Sequence, residues 1–181
     1  MREKLRASLP NDWLKYVVAA ILSVAMWIWI FGVYHAPKET EEIELFYAGA
    51  MRDYSFEDVA ANAFDALKKV SVSTAYPESG YAFDQKYSVV ALTSSDVVLV
   101  PESVAKETDC KRAFLEISGI GEPFVQEGVA YGVYLSPQAT ERLGAYFVFG
   151  EERYVAFAVA SSVNSGQLTN LSVQFIEWLV R

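Results

Sequence analysis

One apolar segment, residues 16–34, constrains this chain more than any other feature of its sequence. Its nineteen residues include Ser23 as the single ordinary polar side chain. An α-helix rises about 1.5 Å per residue, so the segment would be roughly 28 Å long and would match the hydrocarbon thickness of a bilayer, about 30 Å. The sequence therefore predicts one transmembrane helix, which binds the lipid bilayer through residues 16–34.

Two other structures compete for an apolar segment near an N-terminus. A core helix of a soluble domain is usually shorter and amphipathic, and this segment is neither. A cleaved signal peptide has an apolar region of about 7–15 residues and a small-x-small cleavage site. Here the apolar run is longer, and Tyr34 and His35 stand immediately before Ala36, where small residues are needed. The sequence thus favours a retained signal anchor over a cleaved signal peptide.

The distribution of charge predicts the orientation of this anchor. Residues 1–37 carry a net charge of +2, whereas the remainder of the chain carries a net charge of −10. Basic flanks stay on the cytoplasmic side of a membrane, and acidic flanks have little influence. We therefore expect a single-pass membrane protein, with residues 1–15 as a basic cytoplasmic N-terminus, residues 35–41 as a tether and residues 42–181 as an extracytoplasmic domain.

The composition of the predicted domain argues against several classes of function. Its acidic balance does not suit nucleic acid, because phosphate contacts need a basic surface. One cysteine, Cys110, and one histidine, His35, can form neither an intramolecular disulfide nor a zinc site. His35 also lies at the predicted membrane exit, far from any serine that it could activate. We therefore expect a protein without a cofactor or metal and without enzymatic activity.

Strands and helices are predicted to alternate in the first part of this domain. The predicted elements are a strand at 42–47, a helix at 55–69, a strand at 70–75, a helix at 83–93 and a strand at 96–100. The last of these is a continuous apolar run, which is typical of a central parallel strand buried on both faces. The pattern predicts an α/β fold with a three-layer sandwich-like βαβαβ core.

Further elements are predicted toward the C-terminus. Residues 129–135 form a predicted strand, Ser136 and Pro137 start a short helix, and residues 146–160 contain two strands joined at 150–152. A final helix is indicated by a stripe of apolar residues, Leu168, Leu171, Phe175, Ile176 and Leu179. Near the start of the domain, Ser55 and Asp58 form a capping-box pattern at the predicted helix 55–69.

Three stretches resemble a known family when taken together. They are "IELFYAGAMRDYSFEDVAANAFDALKKVSVSTA", "FDQKYSVVALTSSDVVLVPES" and "YVAFAVASSVNSGQLTNLSVQFIEWLV". In order and in hydrophobic pattern they are similar to extracellular solute-binding proteins of the type II periplasmic-binding class, which serve bacterial ABC transporters. Such proteins have two lobes, but only residues 101–145 are available here for the second. The chain therefore resembles one lobe without its partner.

Two functions follow as expectations. The resemblance implies a membrane-anchored, non-catalytic binding module for a small solute, working with a transporter or another protein partner. The alternative is a cell-surface structural or protein–protein interaction domain that uses the same fold without a small-molecule ligand. Surface that a second lobe would cover must be polar or must pair with another chain, so a homodimer is also possible.

Candidate binding residues lie in the loops where parallel sheets usually bind ligands. In an open parallel sheet these loops follow the carboxyl ends of the strands at the switch point. After the strand at 42–47 they supply Gly49, Arg52, Asp53, Tyr54 and Ser55, and after the strand at 96–100 they supply Glu102 and Ser103. The resemblance adds Ser161 and Asn164, because the family often has a hinge loop at this position. The competing interpretation is that Ser55 only caps a helix and that Glu102 is a solvated turn residue.

Overall fold

The chain divides into two compact units, Met1–Ala36 and Pro37–Arg181. The computed structural model describes residues 2–35, 37–167 and 169–181, with side chains described for all of these except 2–12, 33–35 and 167. Both hydrophobic cores of the protein consist of residues from the second unit. The second unit therefore contains everything that it needs to fold on its own.

The first unit is one long helix, α1, which spans Arg2–His35. Within the described residues it is the one helix that is long and apolar enough to cross a membrane, over Trp13–Gly32. Its apolar side chains are exposed, including Trp27 at 63% and Trp29 at 69%. So much apolar surface is unfavourable in water, and a bilayer would cover it.

The second unit is a mixed α/β domain. Its elements in chain order are β1 (Glu42–Ala48), β2 (Ala50–Met51), α2 (Ser55–Asn62), β3 (Lys69–Ala75), α3 (Tyr81–Lys86), β4 (Val97–Pro101), α4 (Glu102–Glu107), α5 (Cys110–Ala113), β5 (Pro123–Gln126), β6 (Val129–Tyr134), α6 (Pro137–Leu143), β7 (Phe147–Val148), β8 (Tyr154–Ala158) and α7 (Leu171–Val180). Short 3-10 turns cover Glu39–Glu41 and Pro77–Ser79, and a π-helical turn over Tyr87–Ala91 continues α3. The segment Val163–Gln167 is a kinked turn, since Ser165 and Gly166 have non-helical backbone angles.

Six strands form one mixed sheet in the order β3-β1-β4-β8-β6-β5. β1 is parallel to β3 and to β4, while β8 is antiparallel to both β4 and β6. The α/β class and the parallel pairing of the first three long strands are thus confirmed. The two strands predicted within residues 146–160 are also present, but they lie in different sheets. β7 pairs with β2, whereas β8 joins the large sheet.

Helices pack against both faces of this sheet. Alternate residues of β1 and β4 point to opposite sides, so Leu45 and Leu99 belong to one core and Phe46 and Val98 to the other. The first core is completed by α2, α6 and α7, and the second by α3, the π-helical turn and the short helices α4 and α5. The predicted helix start at Ser136 is confirmed, since its hydroxyl accepts from Ala139 N at 3.1 Å.

The predicted helix 55–69 is correct at its start and wrong at its end. α2 stops at Asn62, and tight turns follow in which Ala63 N donates to Ala60 O at 3.2 Å. Leu67 is buried although it lies beyond the helix, and Lys69 already belongs to β3. The predicted capping box is also wrong, because the Asp53 carboxylate accepts from Ser55 N at 2.8 Å. Leu168 of the predicted final stripe lies outside the described residues, and the other four members are buried in α7.

A buried polar network closes the end of the sheet where β1 and β4 begin. The Asp96 carboxylate accepts from Glu44 N at 2.7 Å, from Asn164 Nδ2 at 3.1 Å and from the Ser162 hydroxyl. Asn164 Nδ2 also donates to the carbonyl oxygens of Glu39 at 3.0 Å and of Glu42 at 2.9 Å. This network ties together the segment before β1, the start of β4 and the segment before α7.

Replacing Asp96 with Asn should lower the free energy of unfolding of residues 37–181 by about 1–3 kcal/mol, because an amide NH₂ group would face one of these three donors. Burial raises the pKa of the Asp96 carboxyl. The folded state therefore binds a proton more readily than the unfolded state does, so the wild-type protein gains stability as the pH falls from above the folded-state pKa toward the unfolded-state pKa. The Asn variant has no carboxyl at this position and lacks this gain. Urea unfolding should therefore show a larger difference in the free energy of unfolding between wild type and the Asn variant at about pH 4–5 than at about pH 7. An equal or smaller difference in acid would contradict this account.

Candidate functional site

A cavity opens at the carboxyl ends of the three parallel strands. The chain passes from β1 through α2 to β3 on one side, then returns through α3 to β4 on the other side of β1. This reversal is the topological switch point where open α/β sheets bind ligands. The cavity has a volume of about 420 Å³. It is lined by the segments after β1, β3 and β4 and by the segment between β7 and β8.

Aromatic rings form the inner part of this site. The ring of Tyr154, which lines the cavity, stacks on Tyr47 at 5.8 Å and meets Phe149 edge-on at 4.9 Å. The buried Tyr47 hydroxyl donates to Val148 O at 2.7 Å. Burial, followed by the neighbouring Tyr154, raises the pKa of Tyr47 well above its ordinary value, so the hydroxyl remains a donor. This bond holds the segment after β7 against β1.

Gly49 is required where the chain turns away from β1. A Cβ atom at this position would lie 2.7 Å from the Tyr47 ring, which is fully buried and cannot easily move. Only glycine therefore allows the backbone to pass this close to the ring. This steric requirement is enough to explain why Gly49 stands at the cavity wall, and no contact between Gly49 and a ligand is needed to explain it.

The polar lining of the cavity is acidic. Glu78, Glu151 and Glu152 contribute carboxylates, and no Lys, Arg or His side chain stands among the described residues that line it. The Glu152 carboxylate accepts from Ser103 N at 3.0 Å, so it links the loop after β7 to the start of α4. Such a lining suits cations and hydrogen-bond donors and disfavours anions.

The structure places the predicted site residues in several locations. Gly49 and Ser103 line the cavity. Arg52, Tyr54 and Ser55 follow the same strand as Gly49 but do not line it. Arg52 N donates to Tyr146 O at 2.6 Å, Tyr54 is exposed to solvent, and Ser55 N is bound to Asp53.

The remaining three candidates also lie outside the cavity. Glu102 pairs with Lys106 at 2.7 Å, and this lysine is the main cause of the lowered pKa of the exposed Glu102 carboxyl. Ser161 lines a different cavity, of about 300 Å³, at the opposite end of the sheet. Asn164 belongs to the buried Asp96 network, where it supports the fold.

Several lining residues were not among the predicted ones. Tyr76 and Glu78 follow β3, Val148 ends β7, and the residues from Phe149 to Glu152 lie between β7 and β8. The turn "YPESGY" after the predicted strand 70–75 carried a usable signal, because parallel strands end at the same edge of a sheet. The β7–β8 segment carried none, because it reaches the site only through tertiary pairing of β7 with β2.

No protein-family model, no curated protein and no solved structure matches this chain. Its function must therefore be argued from the geometry of the cavity and the chemistry of its lining. Within the described part of the chain, no group of three or more His, Cys, Asp or Glu side chains could hold a metal ion. What the cavity offers is carboxylates, backbone groups and aromatic rings for non-covalent binding.

Replacing Tyr47 with Phe should lower the free energy of unfolding by about 1–2 kcal/mol, because the Val148 carbonyl loses its donor. The matched control is Tyr81→Phe, since the Tyr81 side chain is 81% exposed and should change stability by less than about 0.5 kcal/mol. Denaturant unfolding of residues 37–181 measures both. Equal effects of the two substitutions would show that the Tyr47 hydroxyl does not anchor the site.

Proposed function

We propose that this chain is a membrane-anchored, extracytoplasmic and non-catalytic binding module that resembles one lobe of an ABC-transporter solute-binding protein. In this proposal α1 is a retained anchor with its N-terminus in the cytoplasm, and the second unit is a three-layer α/β domain outside. The ligand occupies the cavity at the carboxyl ends of β1, β3 and β4. One observation carries the proposal, namely that this cavity of about 420 Å³ lies at the switch point of the sheet.

The volume and lining of the cavity suit a polar or cationic ligand. Ligand pockets usually measure about 300–1,000 Å³ and combine apolar walls with a few polar groups. Here Phe149 and Tyr154 supply apolar surface, while the carboxylates of Glu78 and Glu151 supply hydrogen-bond acceptors. A single lobe leaves one side of the ligand open, whereas tight small-ligand sites bury about 70–90% of their ligand. Affinity for a small solute is therefore expected to be modest.

A second candidate function is docking of a protein partner on the same end of the domain. Large apolar side chains are exposed there around the cavity, among them Tyr54 at 68%, Tyr76 at 55% and Val148 at 39%. Exposed tyrosines are typical of protein interfaces, because they bury a large apolar area at low entropic cost. This cell-surface interaction role needs no small ligand.

The proposed orientation can be tested by labelling cysteine variants in spheroplasts. Cys110 is fully buried, and burial raises its thiol pKa to about 11, so its own labelling should be negligible. An impermeant maleimide should label exposed Ser118→Cys in intact spheroplasts. It should label Ser8→Cys only after permeabilisation. The reverse pattern would overturn the orientation, and labelling of both sites in intact spheroplasts would show that the chain is not inserted as proposed.

The binding site can be tested by thermal shift of the full-length chain in nanodiscs and of residues 37–181. The probes are sugars, amino acids, polyamines and short peptides. A ligand present at about 100 times its Kd should stabilise the domain by about 2.7 kcal/mol, which corresponds to a rise in Tm of roughly 5–11 °C for a domain of this size.

A variant that fills the cavity provides the control for this experiment. Ser103→Tyr should abolish the shift, because Ser103 lines the cavity and binds Glu152 through its backbone alone. Ser118→Tyr adds the same side chain at an exposed position outside the cavity and should retain it. A shift that survives Ser103→Tyr would place the ligand elsewhere. If no probe gives a shift and a protein partner is recovered by cross-linking to this end of the domain, the interaction role is favoured.

A further inference from the structure

A second cavity lies beside the first at the same end of the domain. It has a volume of about 530 Å³ and is lined by residues of α3, the π-helical turn and α4 with the segment that follows it. Pro77 and Ser103 line both cavities, so the two are contiguous. We call the two cavities joined at Pro77 and Ser103 the acidic groove. It runs from the β7–β8 segment to Asp109.

The charge of the acidic groove has one sign along its whole length. Six carboxylates line it, those of Glu78, Asp84, Glu107, Asp109, Glu151 and Glu152. Among the described residues, no Lys, Arg or His side chain lines either cavity. The nearby lysines make other contacts, since Lys86 Nζ donates to Thr74 O at 2.6 Å and Lys106 pairs with Glu102. A bound cation therefore meets no competing positive charge in the groove.

Apolar surface accompanies these carboxylates in both cavities. Phe83, Tyr87, Leu92 and Val104 line the second cavity, as Phe149 and Tyr154 line the first. At the junction Tyr76 is exposed next to Pro77. A ligand that fits the whole groove must thus present both positive charges and apolar groups along an extended shape.

We propose that the acidic groove binds an extended basic polypeptide segment that turns both Lys or Arg side chains and apolar side chains toward the groove. The inference rests on the proposed function and specifies the ligand of the same site. A peptide fits this surface better than a small solute does, because it can contact both cavities while one of its sides stays in solvent. A divalent cation fits less well, since the described carboxylates form no group able to hold a metal.

The test measures binding of a short fluorescein-labelled peptide to the full-length chain. Lysine and valine occur in it in successive pairs, so that each face of the extended peptide carries both. The chain is held in nanodiscs of zwitterionic phosphatidylcholine, so that the peptide has no anionic lipid to bind. Fluorescence anisotropy should show saturable binding that weakens as salt is raised. The same peptide with glutamate in place of lysine should not bind. Spermine, which has the charge but no apolar side chains, should compete at least about ten-fold more weakly than unlabelled peptide.

A triple variant removes three charges from the groove without touching any hydrogen bond of the fold. Glu78, Asp84 and Glu107 are exposed, and none of their carboxylates has a contact that supports the structure. Their replacement by Gln, Asn and Gln should weaken peptide binding by about ten-fold or more while leaving Tm unchanged within a degree or two. The matched control makes the same change of charge at exposed positions outside the groove, in Asp65→Asn, Glu116→Gln and Glu127→Gln. This control should weaken binding by less than about two-fold.

The outcomes separate this inference from the proposed function. If both triple variants weaken binding equally, or if the lysine and glutamate peptides bind alike, the groove is not a site for basic peptides. If no peptide binds but another probe raises Tm and loses its effect in Ser103→Tyr, the proposed function stands and this inference is overturned. If the glutamate and lysine peptides both fail and no probe raises Tm, both proposals are wrong.

Discussion

The buried carboxylate of Asp96 is the contact on which the rest of the domain depends. A charged group is costly to bury unless its acceptors are satisfied, and here one backbone N–H, one amide and one hydroxyl donate to it. Because these donors come from β1 and from the segment before α7, the carboxylate fixes the amino ends of the parallel strands. Polar groups at this end are thus consumed by the fold. At the other end polar contacts such as that of Tyr47 with Val148 hold the loops, and the exposed carboxylates of Glu78 and Glu151 can form a binding surface.

One edge of the large sheet, β3, carries features that oppose pairing with a second copy of the chain. β3 has a neighbour on one side only, so its other side presents unpaired backbone groups. Two of these groups are occupied by side chains, since Glu57 accepts from Val72 N at 2.9 Å and Lys86 donates to Thr74 O. Both blocking groups are charged, which disfavours pairing of β3 with a second copy. The sequence left two expectations for the surface that a second lobe would cover, namely a polar surface or a dimer. The polar edge of β3 favours a single copy over a dimer formed through β3.

The sequence predicted those parts of the fold that depend on local pattern. The alternation of apolar and polar residues in β1 and β3 and the apolar run of β4 identified these strands. The burial of one or both faces of a strand determines which positions are apolar, so it is visible in the order of the residues. The end of α2 was missed because Leu67 keeps a helical spacing although it is buried from a turn. The two-residue strand β2 is too short to leave any pattern, and β7 was predicted as a strand but not as part of the site, because its pairing with β2 is tertiary. Gly49 and Ser103 were therefore predictable from strand ends, while Phe149 and Glu152 were not.

In the proposed function an open, acidic groove acts on a domain that α1 anchors to a membrane, and this arrangement affects how strongly the groove holds a ligand. A groove that leaves one side of its ligand in solvent binds weakly in dilute solution, because association costs translational and rotational freedom that few contacts offset. Confinement changes this balance. If anchor and partner share one membrane, the effective concentration can reach about the millimolar range, so that modest affinity gives high occupancy. The apolar helix and the open groove are thus compatible features. The proximity that an anchor provides raises occupancy, and this offsets the weak affinity of a groove that does not enclose its ligand.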